Sequence, residues 1–290
     1  MTPFELVEPS SLSEAAGLLA SEDSSACAMG GGTAIMLMMK MGMLRPTRVV
    51  SLRGVEKCYA EISGDDSGLR IGAMVTLSAL ERSSIVKSRT PVIARALRTL
   101  SNVRVRNVAT AGGHLAHADP HMDLPPVLIA LGATVSTVDP KGERTLPLDE
   151  LYAGYLQTTL RREELIAQVT VPEQGDRRAA YLKCTMRSAD DWPALGVAVV
   201  LETDGHAVRD ARIVIGAATD VPTRLTTAES VLADKTVDDK LLREAGDAAA
   251  STVELIGDEH GSAAYKRELI RVYVPRAVRA ALSEKQIDNR

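Results

Sequence analysis

The sequence predicts an α+β chain in two parts, a mixed part to about residue 174 and a shorter part in which three strands precede three helices. Three observations predict it. Short apolar runs alternate with helical periodicity up to Val171. Gln174-Gly175-Asp176, polar and next to Pro172, then interrupts the pattern as a linker does. Beyond it, three longer apolar runs come first and three helical patterns follow.

In order, Leu12, Ala15, Ala16 and Leu19 recur at helical spacing, and Ser11 with Glu14 has capping-box spacing, so a helix is expected near 11–20. Ala26 to Met29 is a short buried strand running into Gly30-Gly31-Gly32-Thr33, and a Met-rich helix follows to about Met41. Val49 to Leu52 is a second strand. Cys58 to Ile62 and Leu69 to Gly72 flank a Gly64–Gly68 turn as a hairpin. A short helix at Ser78–Glu81 and a longer one over Pro91–Leu100 precede a Gly-rich loop. Asp123 is placed as the N-cap of a helix to Leu131, with prolines in its first turn. Thr134–Val138 pairs through Pro140-Lys141-Gly142 with a strand ending near Pro147, and Leu165–Val171 is a strand. Strands are expected near 180–186, 194–203 and 208–217, and helices near 223–233, 239–255 and 262–281.

Composition excludes several functions. The chain has 290 residues and a formal charge of −4, with basic and acidic residues nearly balanced on both sides of Pro172, so no polycationic surface suits nucleic acid or anionic membranes. Aromatic residues are 3% of the chain, too few for a base-stacking platform. The three cysteines, Cys27, Cys58 and Cys184, are widely spaced and form no disulfide framework, zinc knuckle or iron–sulfur set. No apolar run reaches the ~18 residues of a membrane span, and the first residues lack the pattern of a signal peptide, so a cytoplasmic chain is expected.

Two segments can carry chemistry. Gly30-Gly31-Gly32-Thr33 joins a strand to a helix; it is either an anion cradle of backbone N–H groups at a helix N-terminus or a plain tight turn. It is neither a Rossmann fingerprint, since Ile35 stands where the third glycine belongs, nor a P-loop. The second segment runs from Asn107 to Pro126 and holds Gly112-Gly113 with His114, His117, Asp119, His121 and Asp123. A metal site matches no ligand spacing here; a second phosphate cradle, with Asp123 as cap or ribose acceptor, fits better. No Gly-x-Ser-x-Gly or Cys–His pair points to hydrolysis. Arg98, Arg104 and Arg106 are taken as local ion pairs or a solvated face, and Met36, Met38, Met39, Met41 and Met43 as adaptable core packing.

Two Gly–Gly loops about eighty residues apart, the second ending in Asp119-x-x-x-Asp123-Leu-Pro-Pro, form a specific pair. With Pro9–Ala15, Met29–Met36, Ile71–Thr76, Val105–Gly113, Gly154-Tyr155 with Thr159–Arg161, Tyr181-x-Lys183 and Gly261–Tyr265 in order, the chain resembles the FAD-binding medium subunit of the molybdenum hydroxylases, the xanthine, carbon monoxide and aldehyde dehydrogenase group. The resemblance implies the two-subdomain FAD-binding fold of the vanillyl-oxidase/carbon monoxide dehydrogenase flavoprotein type. Its FAD-binding domain would cover 1–174, with subdomains of about 1–55 and 56–174, and a C-terminal α+β domain 175–290. It also implies an extended FAD whose pyrophosphate lies against Met29, Gly30, Gly31, Gly32, Thr33 and Ala34 on one side and Thr110, Gly112, Gly113 and His114 on the other. Ser101 and Asp123 are further contact positions; Leu160 and Lys183 would lie near the flavin ring and Trp192 beside it. Gly30, Ala34, Ala111 and His114 depart from the family's usual Ala, Asp or Ser, Ile and Asn. No Cys-rich insertion of the 4-hydroxybenzoyl-CoA reductase branch is present. The implied function is electron transfer within a dimer of heterotrimers. A large partner would carry the molybdenum cofactor and a small one the [2Fe–2S] clusters, and this chain would hold no catalytic acid, base, nucleophile or metal. A stand-alone FAD oxidoreductase and a non-catalytic nucleotide-binding module are the alternatives.

Overall fold

A computed structural model describes residues 2–20, 25–205 and 207–283. The chain opens with β1 (Glu5–Val7), α1 (Leu12–Leu19), β2 (Cys27–Met29), α2 (Thr33–Lys40) and β3 (Arg48–Ser51). Its three strands form a parallel sheet in the order β1-β3-β2. The Ser11 hydroxyl accepts the Glu14 N–H at 3.0 Å, capping α1, and the Glu14 carboxylate reaches back to the Ser10 N–H at 2.8 Å. Strand β1 had no signal in the sequence, because three residues are too few to display alternation.

Next come β4 (Ile62–Asp65), β5 (Gly68–Gly72), α3 (Leu77–Arg82), α4 (Ser84–Arg89), α5 (Pro91–Arg98), α6 (Val103–Arg106), α7 (Ala111–Ala116), α8 (Leu124–Ala130), β6 (Thr134–Asp139), β7 (Gly142–Pro147), β8 (Tyr152–Gly154), β9 (Gln157–Thr158) and β10 (Leu165–Pro172). An antiparallel sheet in the order β4-β5-β10-β6-β7 results. Its register is pinned at the centre, where Val169 lies opposite both Ile71 and Val135.

Four expectations are corrected here. Cys58-Tyr59-Ala60 is part of a 3₁₀ turn rather than a strand, because Gly72 and Met74 close on the Tyr59 carbonyl, the latter at 2.8 Å. Gly112 and Gly113 sit inside the first turn of α7, capped by the Thr110 hydroxyl, and not in an open loop. Asp123 occupies the cap position of α8 but makes no capping bond; its carboxylate turns elsewhere. Of the methionine run, only Met39 is buried, whereas Met41 and Met43 are exposed.

The chain ends with β11 (Arg178–Thr185), β12 (Pro193–Asp204), β13 (Ala207–Gly216), β14 (Thr223–Arg224), α9 (Thr226–Leu232), β15 (Lys235–Thr236), α10 (Asp239–Thr252) and α11 (Ala263–Ser283). The sheet runs β11-β12-β13-β14, with β15 beside β13. Alternate residues of β12 serve two cores. Ala198 and Val200 face the core containing α5 and α8, while Leu195, Val197, Val199 and Leu201 face that of α10 and α11. In α11, Pro275 has no N–H for the Arg271 carbonyl, and Gly246 of α10 packs against that step. No helix among the described residues is long and apolar enough to cross a membrane.

Candidate functional site

A cleft of about 600 Å³ lies where the parallel sheet, α7 and the β11–β12 connection meet. The structure brings every predicted site residue to its wall: Met29, Gly30, Gly31, Gly32, Thr33, Ala34, Ser101, Thr110, Gly112, Gly113, His114, Asp123, Leu160, Lys183 and Trp192.

At one end, the three glycines join β2 to α2. A Cβ on Gly31 would stand 2.0 Å from the Val108 carbonyl oxygen, and one on Gly30 would stand 2.7 Å from the Thr110 hydroxyl. Gly32 has φ +80°, which favours glycine. These residues let the strand–helix connection press against the second glycine segment. Among the described residues the N–H groups of Gly32, Thr33, Ala34 and Ile35 meet no hydrogen-bond acceptor; the first closed helical bond is Met36 N–H to the Gly32 carbonyl, at 3.1 Å. Free donors at the positive end of a helix suit an anion.

The second segment is built differently. The Ala111 and Gly112 N–H groups donate to the Val75 and Ala73 carbonyls, both at 2.8 Å. Gly113 N–H donates to the Thr110 hydroxyl at 3.2 Å and His114 N–H to the Thr110 carbonyl at 2.8 Å. Its backbone donors are consumed, so it buttresses the first loop rather than repeating it. His114 is buried with Nε2 unpartnered. Burial, with His117 nearby, pushes its imidazole down to about 3, so the ring is neutral.

At the other end, Tyr181 and Lys183 share a face of β11 and converge on Asp123. The Tyr181 hydroxyl donates to Asp123 Oδ1 at 2.5 Å, and Lys183 Nζ donates to Oδ2 at 3.0 Å and to the Thr99 carbonyl at 2.9 Å. Burial raises the Asp123 carboxyl, and the Lys183 ammonium and Tyr181 hydroxyl pull it back. Burial and the Asp123 charge together raise the Tyr181 phenol well above its ordinary value. Ser101 holds φ +54°, and its carbonyl accepts Arg106 Nη1 at 2.5 Å. Arg106 also pairs with Glu81 at 2.9 Å, a local ion pair as expected.

Sequence reasoning missed two groups. Glu164 lines the cleft and accepts from Thr137 Oγ1 and Arg144 Nε, both at 2.5 Å, and from the Arg161 N–H at 3.0 Å. Burial opposes ionisation, but these bonds prevail and bring the carboxyl down to about 2. The histidine run also separates. His121 bonds Asp119 through Nδ1 and Asp258 through Nε2, each at 2.9 Å. Asp258 lies 137 residues away, beyond any spacing signal. Among the described residues no group of three His, Cys, Asp or Glu side chains could hold a metal.

A glycine-built donor loop at one end and a buried Lys–Asp–Tyr cluster with a half-exposed Trp at the other suit an extended nucleotide cofactor, and the volume is that of a small-molecule site. Residues 2–174 match the FAD binding domain in molybdopterin dehydrogenase, and 180–281 the CO dehydrogenase flavoprotein C-terminal domain. The chain therefore belongs to the FAD-binding subunit family of the molybdenum hydroxylases, and it is an oxidoreductase subunit whose cofactor is FAD. It is similar to the carbon monoxide dehydrogenase medium chain of Hydrogenophaga pseudoflava, 31% identical over 96% of both chains. It is also similar to the nicotine 6-hydroxylase medium subunit of Paenarthrobacter nicotinovorans, 32% identical over 93% of this chain and 94% of that one. Among solved structures, Hydrogenophaga carbon monoxide dehydrogenase superposes with a TM-score of 0.93 at 32% identity, covering 98% of this chain and 99% of that one. Quinoline 2-oxidoreductase of Pseudomonas putida 86 gives 0.91 at 27% identity, over 97% of both. The α+β expectation and the family resemblance both hold.

Proposed function

We propose that this chain carries electrons from [2Fe–2S] clusters on a small partner, fed by a molybdenum cofactor on a large one, through FAD to an acceptor, within a dimer of heterotrimers. The observation that carries the reading is the division of the cleft into a free-donor loop and a buried, mutually neutralised Lys183–Asp123 pair, which hold and tune a cofactor. FAD, when bound, exchanges electrons singly or in pairs. The N–H groups of Gly32 to Ile35 hold its diphosphate, and Thr110 to His114 support them from behind. His114, neutral and unpartnered, offers Nε2 to a polar group of the cofactor. Leu160 and Lys183 would lie near the ring and Trp192 beside it. No side chain is assigned to acid–base or nucleophilic work on a substrate. Residues 1–174 would form the cofactor domain and 175–290 the C-terminal one. Support for partners comes from the relatives, which are named medium chains or subunits.

The test is to tag the chain in its own cells, isolate it without oxygen, and measure the co-purifying polypeptides with their molybdenum, iron and FAD. Two partners, one with molybdenum and one with iron, are expected. Recovery of the chain alone, turning over electron donors by itself, would favour the stand-alone oxidoreductase.

A further inference from the structure

At the cleft mouth, three segments meet around one imidazole. His121 precedes α8, Trp192 ends the β11–β12 connection, and Asp258 and His260 lie before α11. The Trp192 ring stands edge-on to His121 with centroids 5.5 Å apart, and the His260 ring lies 5.1 Å from it on another side. Asp119 and Asp258 grip both ring nitrogens of His121. Behind Asp258, the fully buried Lys266 donates to its carboxylate and, at 2.5 Å, to the Ala217 carbonyl. Ala217 N–H in turn donates to the Pro120 carbonyl at 2.8 Å, next to His121. Ala118 and Ala217 hold φ +54° and +67°, conformations that persist only where the surroundings over-determine them. The segment carrying His121 is thus fixed from both sides, while Trp192 is 42% exposed and has His121 as its ring neighbour.

We infer that His121, held by Asp119 and Asp258, is a positioning residue that sets the orientation of Trp192 at the mouth of the cleft and ties that mouth to the segment before α11. The inference deepens the cofactor reading, in which Trp192 flanks the ring. Burial alone would lower the His121 pKa; the bonds and charges of Asp119 and Asp258 outweigh it and hold the pKa above that of a free histidine. The other titratable groups facing this point are His260 on the α11 side, Lys266 behind Asp258, His117 near Asp119, whose imidazole is lowered by burial against the pull of that carboxylate, and Tyr155, whose phenol is raised by burial and by Asp119, Glu259 and Asp258. As pH rises through the raised value, the ring loses its charge and one of its two carboxylate bonds loses its donor.

Trp192 is the chain's only tryptophan, so its emission reports this directly. A charge so close to an indole shifts its emission. The experiment uses the full chain freed of FAD, with FAD rebinding measured separately by absorbance, so that failure of the cofactor reading is distinguished from failure of this one. Wild-type Trp192 emission is expected to show a step with pH on the alkaline side of a free histidine's. His121→Gln should abolish the step and open Trp192 to iodide quenching, and His260→Gln should keep it. Asp258→Asn should move it to lower pH. Emission without a step in the wild type, a step surviving in His121→Gln, or one unmoved in Asp258→Asn would overturn the inference; the wild-type and Asp258→Asn results decide it should His121→Gln not fold.

Discussion

Lys183 and Asp123 were both legible as site residues, yet their meeting was not. Alternation along β11 puts Tyr181 and Lys183 on one face, but which carboxylate they reach depends on how α8 packs against the third sheet, a contact spanning 60 residues. The pairing changes what each contributes. A lone ammonium would favour the reduced cofactor, which carries more negative charge; with Asp123 at 3.0 Å the pair is nearly neutral. Lys183→Ala should therefore lower the flavin reduction potential and Asp123→Asn should raise it. The shifts should reach tens of millivolts, roughly 30 mV corresponding to about 1.4 kcal/mol for a two-electron couple. Spectroelectrochemistry of both variants checks the opposite signs; shifts of the same sign would remove the pair from the tuning of the flavin.

Among the elements, the two glycine segments illustrate what a motif does and does not reveal. From the residues alone the first is open between an anion cradle and a tight turn and the second reads as a phosphate cradle, since Gly–Gly before a helix has the same appearance in each. Only the first keeps its donors free. The second spends its N–H groups on Ala73, Val75 and Thr110, a difference that arises from the β5–α3 connection packing against α7. Gly31 is the contact between them, so Gly31→Ala should push the loops apart and cost about 1–3 kcal/mol, read by chemical denaturation. Glu164 joins β6 and β7 to the start of β10 in the cleft wall, and it had no signal because its side-chain partners Thr137 and Arg144 lie 27 and 20 residues away on two other strands. Its carboxyl falls from 4.5 to about 2 in the fold. The stabilisation is thus complete above pH 4.5 and is lost as pH drops toward 2, on the order of 3 kcal/mol in all. Glu164→Gln should flatten the acid limb of the stability–pH curve over that window, and an unchanged limb would show that the bonds do not hold the carboxylate ionised.

For the whole molecule, the α+β order and the later strands were legible because long buried strands such as β12 write their pattern plainly in sequence. Its alternate residues feed two cores, as do Val214 and its neighbours Ile213 and Ile215 in β13, so this sheet joins the core containing α5 and α8 to the helical layer of α10 and α11. The cleft itself was legible only through resemblance, since its walls come from all three larger sheets and no local pattern announces that convergence. The central claim is that this convergence holds FAD by the free donors of the first loop. The most direct measurement is the FAD released per chain on denaturing the protein isolated with the assembly it forms in its own cells, wild type beside Gly31→Ala, with circular dichroism to verify the fold. Equimolar FAD in the wild type and its loss from a folded Gly31→Ala is the expected result; a wild-type assembly without FAD, or full FAD in Gly31→Ala, would contradict it.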